Sequence, residues 1–172
     1  MHPDVRKILV RRSVRAFSDE TLHDRELRDL LKAAMAAPSA GGSDPWHFVL
    51  VRSPGMLVRL TEVLPRGQML ARAQIGIIVC GEQRLARRQQ LSYMLQDCSA
   101  AVENLLLAAS FMGLGGCWVG IHPDPARVDG VRRLLGIPPA ITPIAGVALG
   151  KPGESHRPRT RFSEARLHPE VW

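Results

Sequence analysis

The sequence predicts a fold of the α+β or α/β class in which one sheet lies between layers of helices. First, apolar segments of strand length alternate with segments of helical periodicity along the 172 residues. Second, residues 97–112 are apolar on nearly every face, which is typical of a buried helix. Third, three glycines after this helix lead into residues 117–121, a wholly apolar segment of the kind found inside a sheet. The other elements are therefore expected to cover this helix and this strand.

Two helices are predicted before the first strand. Residues 3–10 form a short helix with Val5, Ile8 and Leu9 facing inward. Residues 24–37 form an amphipathic helix, and its apolar stripe consists of Leu27, Leu30, Leu31, Ala34 and Met35. Pro38 ends this helix, because proline cannot continue the helical hydrogen bonding. A loop rich in serine and glycine follows up to Pro45.

Short apolar runs predict three further strands, at residues 46–52, 75–81 and 142–150. Three helical segments are predicted between the strands, at residues 53–64, 84–90 and 124–135. The first of these opens on Ser53 and Pro54, an N-cap and first-turn pair. Residues 151–172 are rich in proline, arginine and histidine, so we expect them to wrap the surface with Trp172 as an anchor.

The composition argues against several classes of protein. The chain has no N-terminal apolar leader and no long apolar run, so we expect a cytoplasmic protein without a membrane segment. Its formal net charge of +7 comes almost entirely from arginine. These arginines are dispersed and aromatic residues are few, which favours an anionic small ligand over a nucleic acid. Cys80, Cys98 and Cys117 are widely spaced in apolar surroundings, which predicts buried reduced thiols and no metal site.

Two basic clusters flank the rest of the chain. The first follows the first predicted helix and consists of Arg11, Arg12, Ser13 and Arg15. The second lies in the tail and consists of Arg157, Arg159 and Arg161. Arginine offers forked donors to phosphate oxygens, so the two clusters could converge on one dianionic group. A solvated basic surface is the alternative interpretation of each cluster taken alone.

No other motif assigns a reaction. The glycines at 113–116 follow a helix and precede a strand, the reverse of the order in a dinucleotide-binding fingerprint. The six histidines show neither metal-binding nor nucleophile–base spacing. We interpret Asp97, Glu103 and Asn104 as caps and as solvent or interface contacts rather than catalytic groups. The residues alone therefore predict a phosphate-bearing ligand and no particular chemistry.

Four segments, in this order, resemble the nitroreductase family of flavin enzymes over essentially the whole chain. RRSVRAF at 11–17 is similar to the family's Arg-x-Ser-x-Arg opening, and APSAGGSDPWHFVLV at 37–51 to its Ala-Pro-Ser…Pro-Trp-x-Phe segment. LQDCSAAVENLLLAASFMGLGGCWVG at 95–120 is similar to its core helix and following strand. LGIPP at 135–139 with GVALGKP at 146–152 completes the pattern.

The resemblance implies an α+β fold, a three-layer α/β/α sandwich with a central mixed sheet wrapped by helices. It implies one FMN-binding domain over residues 1–172 and an intertwined homodimer, in which residues 151–172 reach the partner subunit. FMN would be held non-covalently at the dimer interface, with NAD(P)H as co-substrate and no metal.

The resemblance also assigns roles on both sides of the cofactor. On the phosphate and ribityl side it implies Arg11, Arg12, Ser13, Arg159 and Arg161, with Arg157 a near candidate. Arg15 would lie at the pyrimidine edge of the ring, where a fixed cation favours the anionic reduced flavin. On the ring side it implies the partner subunit's loop with Pro38, Ser39, Ala40 and Gly42, and backbone amides near Gly115 and Gly116 facing the flavin N5 and O4.

Two departures from the family pattern bear on activity. Gly42 and Asp44 stand where the family commonly has Asn and Gln, which removes a hydrogen bond to the flavin edge and adds a negative charge near it. The segment 63–75 is short, so a lid over the substrate side is expected to be reduced or absent. An open site would suit a bulky acceptor or a protein electron donor.

The leading hypothesis is therefore an FMN-dependent oxidoreductase that transfers electrons from NAD(P)H through flavin N5 to a nitroaromatic, quinone or related acceptor. The cofactor would do the chemistry, so no catalytic side chain is expected. One alternative is a flavin-binding protein with a non-NAD(P)H donor or a redox-sensing role. The other is an arginine-rich nucleotide- or nucleic-acid-binding regulator without flavin.

Overall fold

The computed structural model describes all 172 residues and contains five helices and four strands. In chain order these are α1 (Pro3–Val10), α2 (Asp24–Met35), β1 (Trp46–Val51), α3 (Pro54–Val63), β2 (Ile75–Glu82), α4 (Leu91–Phe111), β3 (Gly115–Gly120), α5 (Pro125–Leu135) and β4 (Ile141–Gly150). Short 3-10 turns lie at Gln68–Arg72, Arg87–Gln89 and Glu164–Arg166. All four predicted strands and the helices predicted at 3–10, 24–37, 53–64 and 124–135 are present within about two residues of their expected bounds.

The four strands form one sheet in the order β1-β2-β4-β3, and every neighbouring pair is antiparallel. The expected mixed sheet is therefore wrong for these strands. A single parallel bridge, between Ser13 and Gly116, joins the first basic cluster to β3 at the sheet edge.

Helices cover both faces of the sheet, which confirms the three-layer sandwich. On one face, α4 packs against β2 and β4 and α2 packs against α4, with Leu30, Leu105 and Ile77 in a shared core. On the other face, α3, α5 and the turn Gln68–Arg72 form a second core. All eight residues of β2 are buried, and the apolar run from Ile75 to Gly81 predicts this for a strand covered on both faces.

The central helix α4 is longer than predicted, because it begins at Leu91 rather than at residue 97. Met94 in its first turns is fully buried and fills the space beside Gly81, where an added Cβ would lie 2.6 Å from the Met94 side chain. The preceding polar segment 84–90 is not the predicted α-helix. Arg88 and Gln89 have φ values of 54° and 53°, and this left-handed backbone limits the segment to one 3-10 turn.

Two predictions of buried apolar residues are wrong for the single chain. Val5 and Ile8 are each 48% exposed, and only Leu9 of α1 is partly buried. Trp172 is 98% exposed and stacks only on His168, so it does not anchor the tail. An apolar face is therefore left uncovered on α1, and Phe111 at the end of α4 is also exposed.

The three cysteines are free and buried, as predicted. Burial raises the pKa of the Cys80 thiol and that of the Cys98 thiol to about 12. Burial also raises the pKa of Cys117. None of the helices combines the length and the apolar character that a bilayer span requires.

Candidate functional site

The two basic clusters lie together around one cavity of about 360 Å³. The cavity is lined from the first cluster by Arg11, Arg12, Ser13 and Arg15, and from the tail by His156, Arg159 and Arg161. Ile8 and Leu9 at the end of α1 complete the lining. The predicted convergence of residues about 145 positions apart in the chain is thus observed. Arg157 does not line this cavity.

Main-chain contacts fix the position of both clusters. The Val14 N–H donates to the Gly116 carbonyl at 3.1 Å, which attaches the first cluster to β3. The Arg159 N–H donates to the Leu9 carbonyl at 3.3 Å, and an Arg12 guanidinium nitrogen donates to the Arg157 carbonyl at 3.2 Å. The tail is therefore held against the end of α1 by backbone atoms, which leaves the Arg159 and Arg161 side chains free for the cavity.

Two carboxylates border the cavity without neutralising it. Glu103 of α4 pairs with the Arg11 Nε at 3.3 Å. Glu154 accepts the N–H groups of Arg15 and Ala16 at 2.6 and 3.0 Å, and these bonds lower its pKa. Glu154 also lies 3.4 Å from the His156 ring. Arg12, Arg15, Arg159 and Arg161 have no carboxylate within ion-pairing distance, so the cavity keeps an excess of positive charge.

Four unpaired guanidiniums, a hydroxyl and an imidazole around one cavity are donors suited to a phosphate dianion.

The sequence analysis missed two residues that surround this cavity, His156 and Glu154. His156 belongs to the run SHRPRTR beside the tail arginines, and that proximity could have identified it. Glu154 carried no signal in the sequence, because its contacts are to backbone groups 138 and 139 residues away.

Gly115 and Gly116 lie beside the cavity, and their lack of side chains has a packing reason. A Cβ on Gly115 would lie 2.7 Å from the Val14 side chain, and one on Gly116 would lie 2.9 Å from Leu106. Gly116 also lines a neighbouring cavity of about 250 Å³ that shares Arg11 and Arg12 with the first. The two glycines thus allow β3 to approach the first basic cluster closely. Their predicted contact with flavin N5 and O4 stays a prediction.

The remaining predicted site residues lie elsewhere, in the Ser-Gly loop, which we define as residues 38–44. Neither cavity includes Pro38, Ser39, Ala40 or Gly42. Gly41 and Gly42 have φ values of +70° and +66°, conformations that glycine adopts at little cost. The predicted site residues thus form two separate groups within one chain.

Asp44 also has a positive φ, of 46°. Its carboxylate accepts from the Ser39 hydroxyl, and its N–H donates to the Ser39 Oγ at 3.1 Å. The negative charge that departs from the family pattern is therefore engaged inside the loop.

The three α4 residues interpreted as caps or contacts have structural partners, and none of them is a cap. Asp97 is 5% exposed, and its Oδ1 accepts the Ala40 N–H at 3.0 Å. Glu103 pairs with Arg11, and the Asn104 amide donates to the Ala33 carbonyl at 3.0 Å. The cap interpretation failed for Asp97 because α4 begins six residues earlier than predicted, which puts Asp97 inside the helix.

The segment 63–75 packs against α3 and does not project from the molecule. Leu64 and Leu70 are buried in the core on that face of the sheet. This short segment therefore forms part of the core on that face.

Comparison with known proteins gives a consistent result. The sequence matches the Nitroreductase family over residues 8–65 and 56–151. It is 41% identical, over the full length of both chains, to an Archaeoglobus fulgidus protein with the provisional name NADH dehydrogenase/NAD(P)H nitroreductase. A crystal structure of a Parabacteroides distasonis protein with the same provisional name matches with a TM-score of 0.93 at 34% identity, over all of both chains. A provisionally named nitroreductase from Desulfovibrio desulfuricans, in complex with FMN, matches with a TM-score of 0.84 at 27% identity, over 99% of this chain and 97% of that one.

Proposed function

Because this chain belongs to the nitroreductase family, we propose that it is an FMN-dependent oxidoreductase that uses NAD(P)H as its reductant. The observation that carries the proposal is the basic cavity between α1 and the tail. Its guanidinium, hydroxyl and imidazole donors suit the terminal phosphate of FMN. The residues present therefore fit the cofactor.

Each residue of the cavity has a role in this proposal. Arg11, Arg12 and Ser13 bind the phosphate and the ribityl chain, and Arg159 and Arg161 bind the same phosphate from the tail. His156 is a further donor that the sequence analysis did not include. Arg15 also lines this cavity and is assigned to the pyrimidine edge of the ring. Glu103 and Glu154 hold Arg11 and the Arg15 backbone in place for these contacts.

When bound, FMN supplies the electron transfer, and the protein supplies binding, orientation and electrostatics. Arg15 places a fixed positive charge where reduction would add negative charge. No nucleophile or general base is needed from the chain. The buried thiols, whose pKa values are raised, are unsuited to such a role in any case.

We place the Ser-Gly loop of a second copy against the flavin ring. Two observations support this assignment: the loop lies outside the basic cavity of its own chain, and α1 has an uncovered apolar face next to that cavity. A homodimer in which residues 151–172 reach the partner would bring the two groups of site residues together. The mostly exposed tail beyond Glu154 supports the same arrangement.

The electron acceptor is proposed to be a nitroaromatic, a quinone or a related compound. Segment 63–75 packs in the core and supplies no lid, which favours an acceptor site open to bulky compounds. The substrate is then selected by the shape of the opening rather than by a catalytic side chain.

An absorption spectrum of the purified protein, followed by identification of the released cofactor, tests this function first. We expect about one FMN per chain and bleaching of the flavin band by NADH or NADPH under nitrogen.

Arg159→Ala should weaken FMN binding about 10- to 100-fold, because each lost hydrogen bond to a charged group costs about 1.5–3 kcal/mol. Arg133→Ala is the matched control, since Arg133 is an exposed arginine on α5 that lines neither cavity. A colourless protein that does not bind added FMN would refute the proposal.

A further inference from the structure

We propose that Asp97 is a positioning residue, which fixes the Ser-Gly loop in the shape that receives the flavin ring. The inference rests on the proposed function in one respect, the assignment of this loop to the flavin site. It concerns a side chain of the central helix that touches neither basic cavity.

The first observation is how few bonds hold the loop. Inside residues 38–44, the Gly42 N–H donates to the Ser39 carbonyl at 3.1 Å, and Ser39 and Asp44 bond to one another. The only hydrogen bond from the loop to the rest of the chain is the one from the Ala40 N–H to the Asp97 carboxylate, at 3.0 Å. Three of the seven loop residues have left-handed backbone, and one of them, Asp44, is not a glycine, so the loop holds one residue in a sparsely populated conformation.

The second observation is the environment of Asp97 itself. The residue is 5% exposed on a helix whose neighbouring inward positions are apolar, among them Met94, Cys98 and Ala101. Its Oδ2 is buried and has no hydrogen-bond partner. A buried carboxylate with one unpartnered oxygen costs stability, and an apolar residue of similar volume would pack here without that cost. The stability of α4 therefore does not account for an aspartate at this position, whereas its bond to the loop does.

A further unpartnered atom lies in the loop. The Ser43 Oγ is buried and has no hydrogen-bond partner. The loop and Asp97 together thus keep two unsatisfied polar atoms in the single chain. A buried polar atom without a partner calls for an explanation, and a functional role is one such explanation.

Asp97→Ala and Asp97→Asn distinguish positioning from packing. The Asn side chain keeps an oxygen that can accept the Ala40 N–H, whereas Ala removes the acceptor. Asn104→Ala is the matched control, because Asn104 is a half-buried polar residue of the same helix whose side chain also bonds to one backbone group, the Ala33 carbonyl outside the loop.

The first measurement is amide hydrogen exchange of a peptide covering the loop, in the flavin-free protein. Asp97→Ala should speed exchange there about tenfold or more, while Asp97→Asn and Asn104→Ala should stay near the wild-type rate. The second measurement is the dissociation constant of FMN, from quenching of its fluorescence. Asp97→Ala should raise it about tenfold, and Asp97→Asn should restore it to within about threefold of wild type.

Unchanged exchange in Asp97→Ala would overturn the inference, as would faster exchange with unchanged FMN affinity. Equal losses of FMN affinity in Asp97→Ala and Asn104→Ala would also overturn it, because they would indicate a general structural effect. A wild-type protein that binds no FMN would refute the proposed function, and with it the flavin role of Asp97. The exchange measurement in the flavin-free protein identifies that case, since the loop would still loosen in Asp97→Ala.

Discussion

At the scale of single residues, Arg15 is the side chain assigned to the electronics of the cofactor. It lines the basic cavity and has no carboxylate partner, although its own N–H is bonded to Glu154. An unpaired cation beside the ring stabilises the reduced, anionic form relative to the oxidised form.

Arg15→Ala should therefore lower the midpoint potential of the bound flavin. An opposite charge at this range is worth about 1–2 kcal/mol, which corresponds to roughly 20–45 mV for a two-electron couple. Spectroelectrochemical titration measures the shift. Arg15→Lys should keep most of the wild-type potential and Arg133→Ala all of it, and an unchanged potential in Arg15→Ala would remove this residue from the ring edge.

The lowered pKa of Glu154 predicts how the free energy of unfolding depends on pH. The N–H groups of Arg15 and Ala16 lower its pKa in the folded protein, whereas an unfolded glutamate titrates near about 4.3. Because the pKa of Glu154 is lower in the folded protein than in the unfolded one, its ionised carboxylate stabilises the fold. This contribution is complete above the pKa of the unfolded state and is lost as the pH falls through the pKa of the folded state. Glu154→Gln should thus be less stable than wild type at pH 7, and the difference should shrink below about pH 4. Urea unfolding at several pH values measures it, and a difference that does not change with pH would contradict the assigned contacts.

At the scale of elements, β3 and the first basic cluster depend on one close contact. Val14 packs against Gly115, and the Val14 N–H bonds to the Gly116 carbonyl. This contact puts the residues on either side of Val14, Ser13 and Arg15, at the cavity.

Gly115→Ala should destabilise the protein by about 1–3 kcal/mol, because its Cβ would lie 2.7 Å from the Val14 side chain. Gly120→Ala on the same strand is the control, since nothing lies within 4 Å of a Cβ there. Denaturant unfolding compares the two variants. Adding Val14→Ala to Gly115→Ala should recover part of the loss, and a loss in Gly120→Ala as large as that in Gly115→Ala would show that packing against Val14 is not the cause.

The elements also show which features a sequence can predict. Local patterns were sufficient for β2, whose eight residues are all buried, and for α5, which begins after the capping Asp124 and ends at Gly136. Local patterns did not give the start of α4. Met94 is buried there because it packs beside Gly81 of β2, and the residues around Met94 do not reveal that contact. Local patterns also failed to give the strand directions, since a mixed sheet and an antiparallel sheet have similar apolar runs. Asp97 was missed as a loop contact because Ala40 is 57 residues away.

At the scale of the whole molecule, the proposed homodimer accounts for the separation of the two groups of predicted site residues. The arginines were predicted to converge and do so within one chain, because backbone bonds tie the tail to the end of α1. The Ser-Gly loop does not join them. The exposed apolar residues of α1 and of the end of α4 were predicted to be covered and are not, which is expected when the covering surface belongs to a partner.

Phe111→Glu combined with Val5→Glu should therefore separate the chains and abolish FMN binding together. Both residues are about half exposed, and Phe111 adjoins a cavity that also includes Val10 and Lys7 of α1. Burying two carboxylates in an apolar interface is costly enough to favour the monomer. Light scattering after gel filtration should give twice the 18.9 kDa chain mass for wild type and the single mass for the variant.

Val58→Glu, at an exposed apolar position of α3 in the opposite layer, should remain dimeric and bind FMN. A monomeric variant with wild-type FMN affinity would show that one chain alone completes the flavin site.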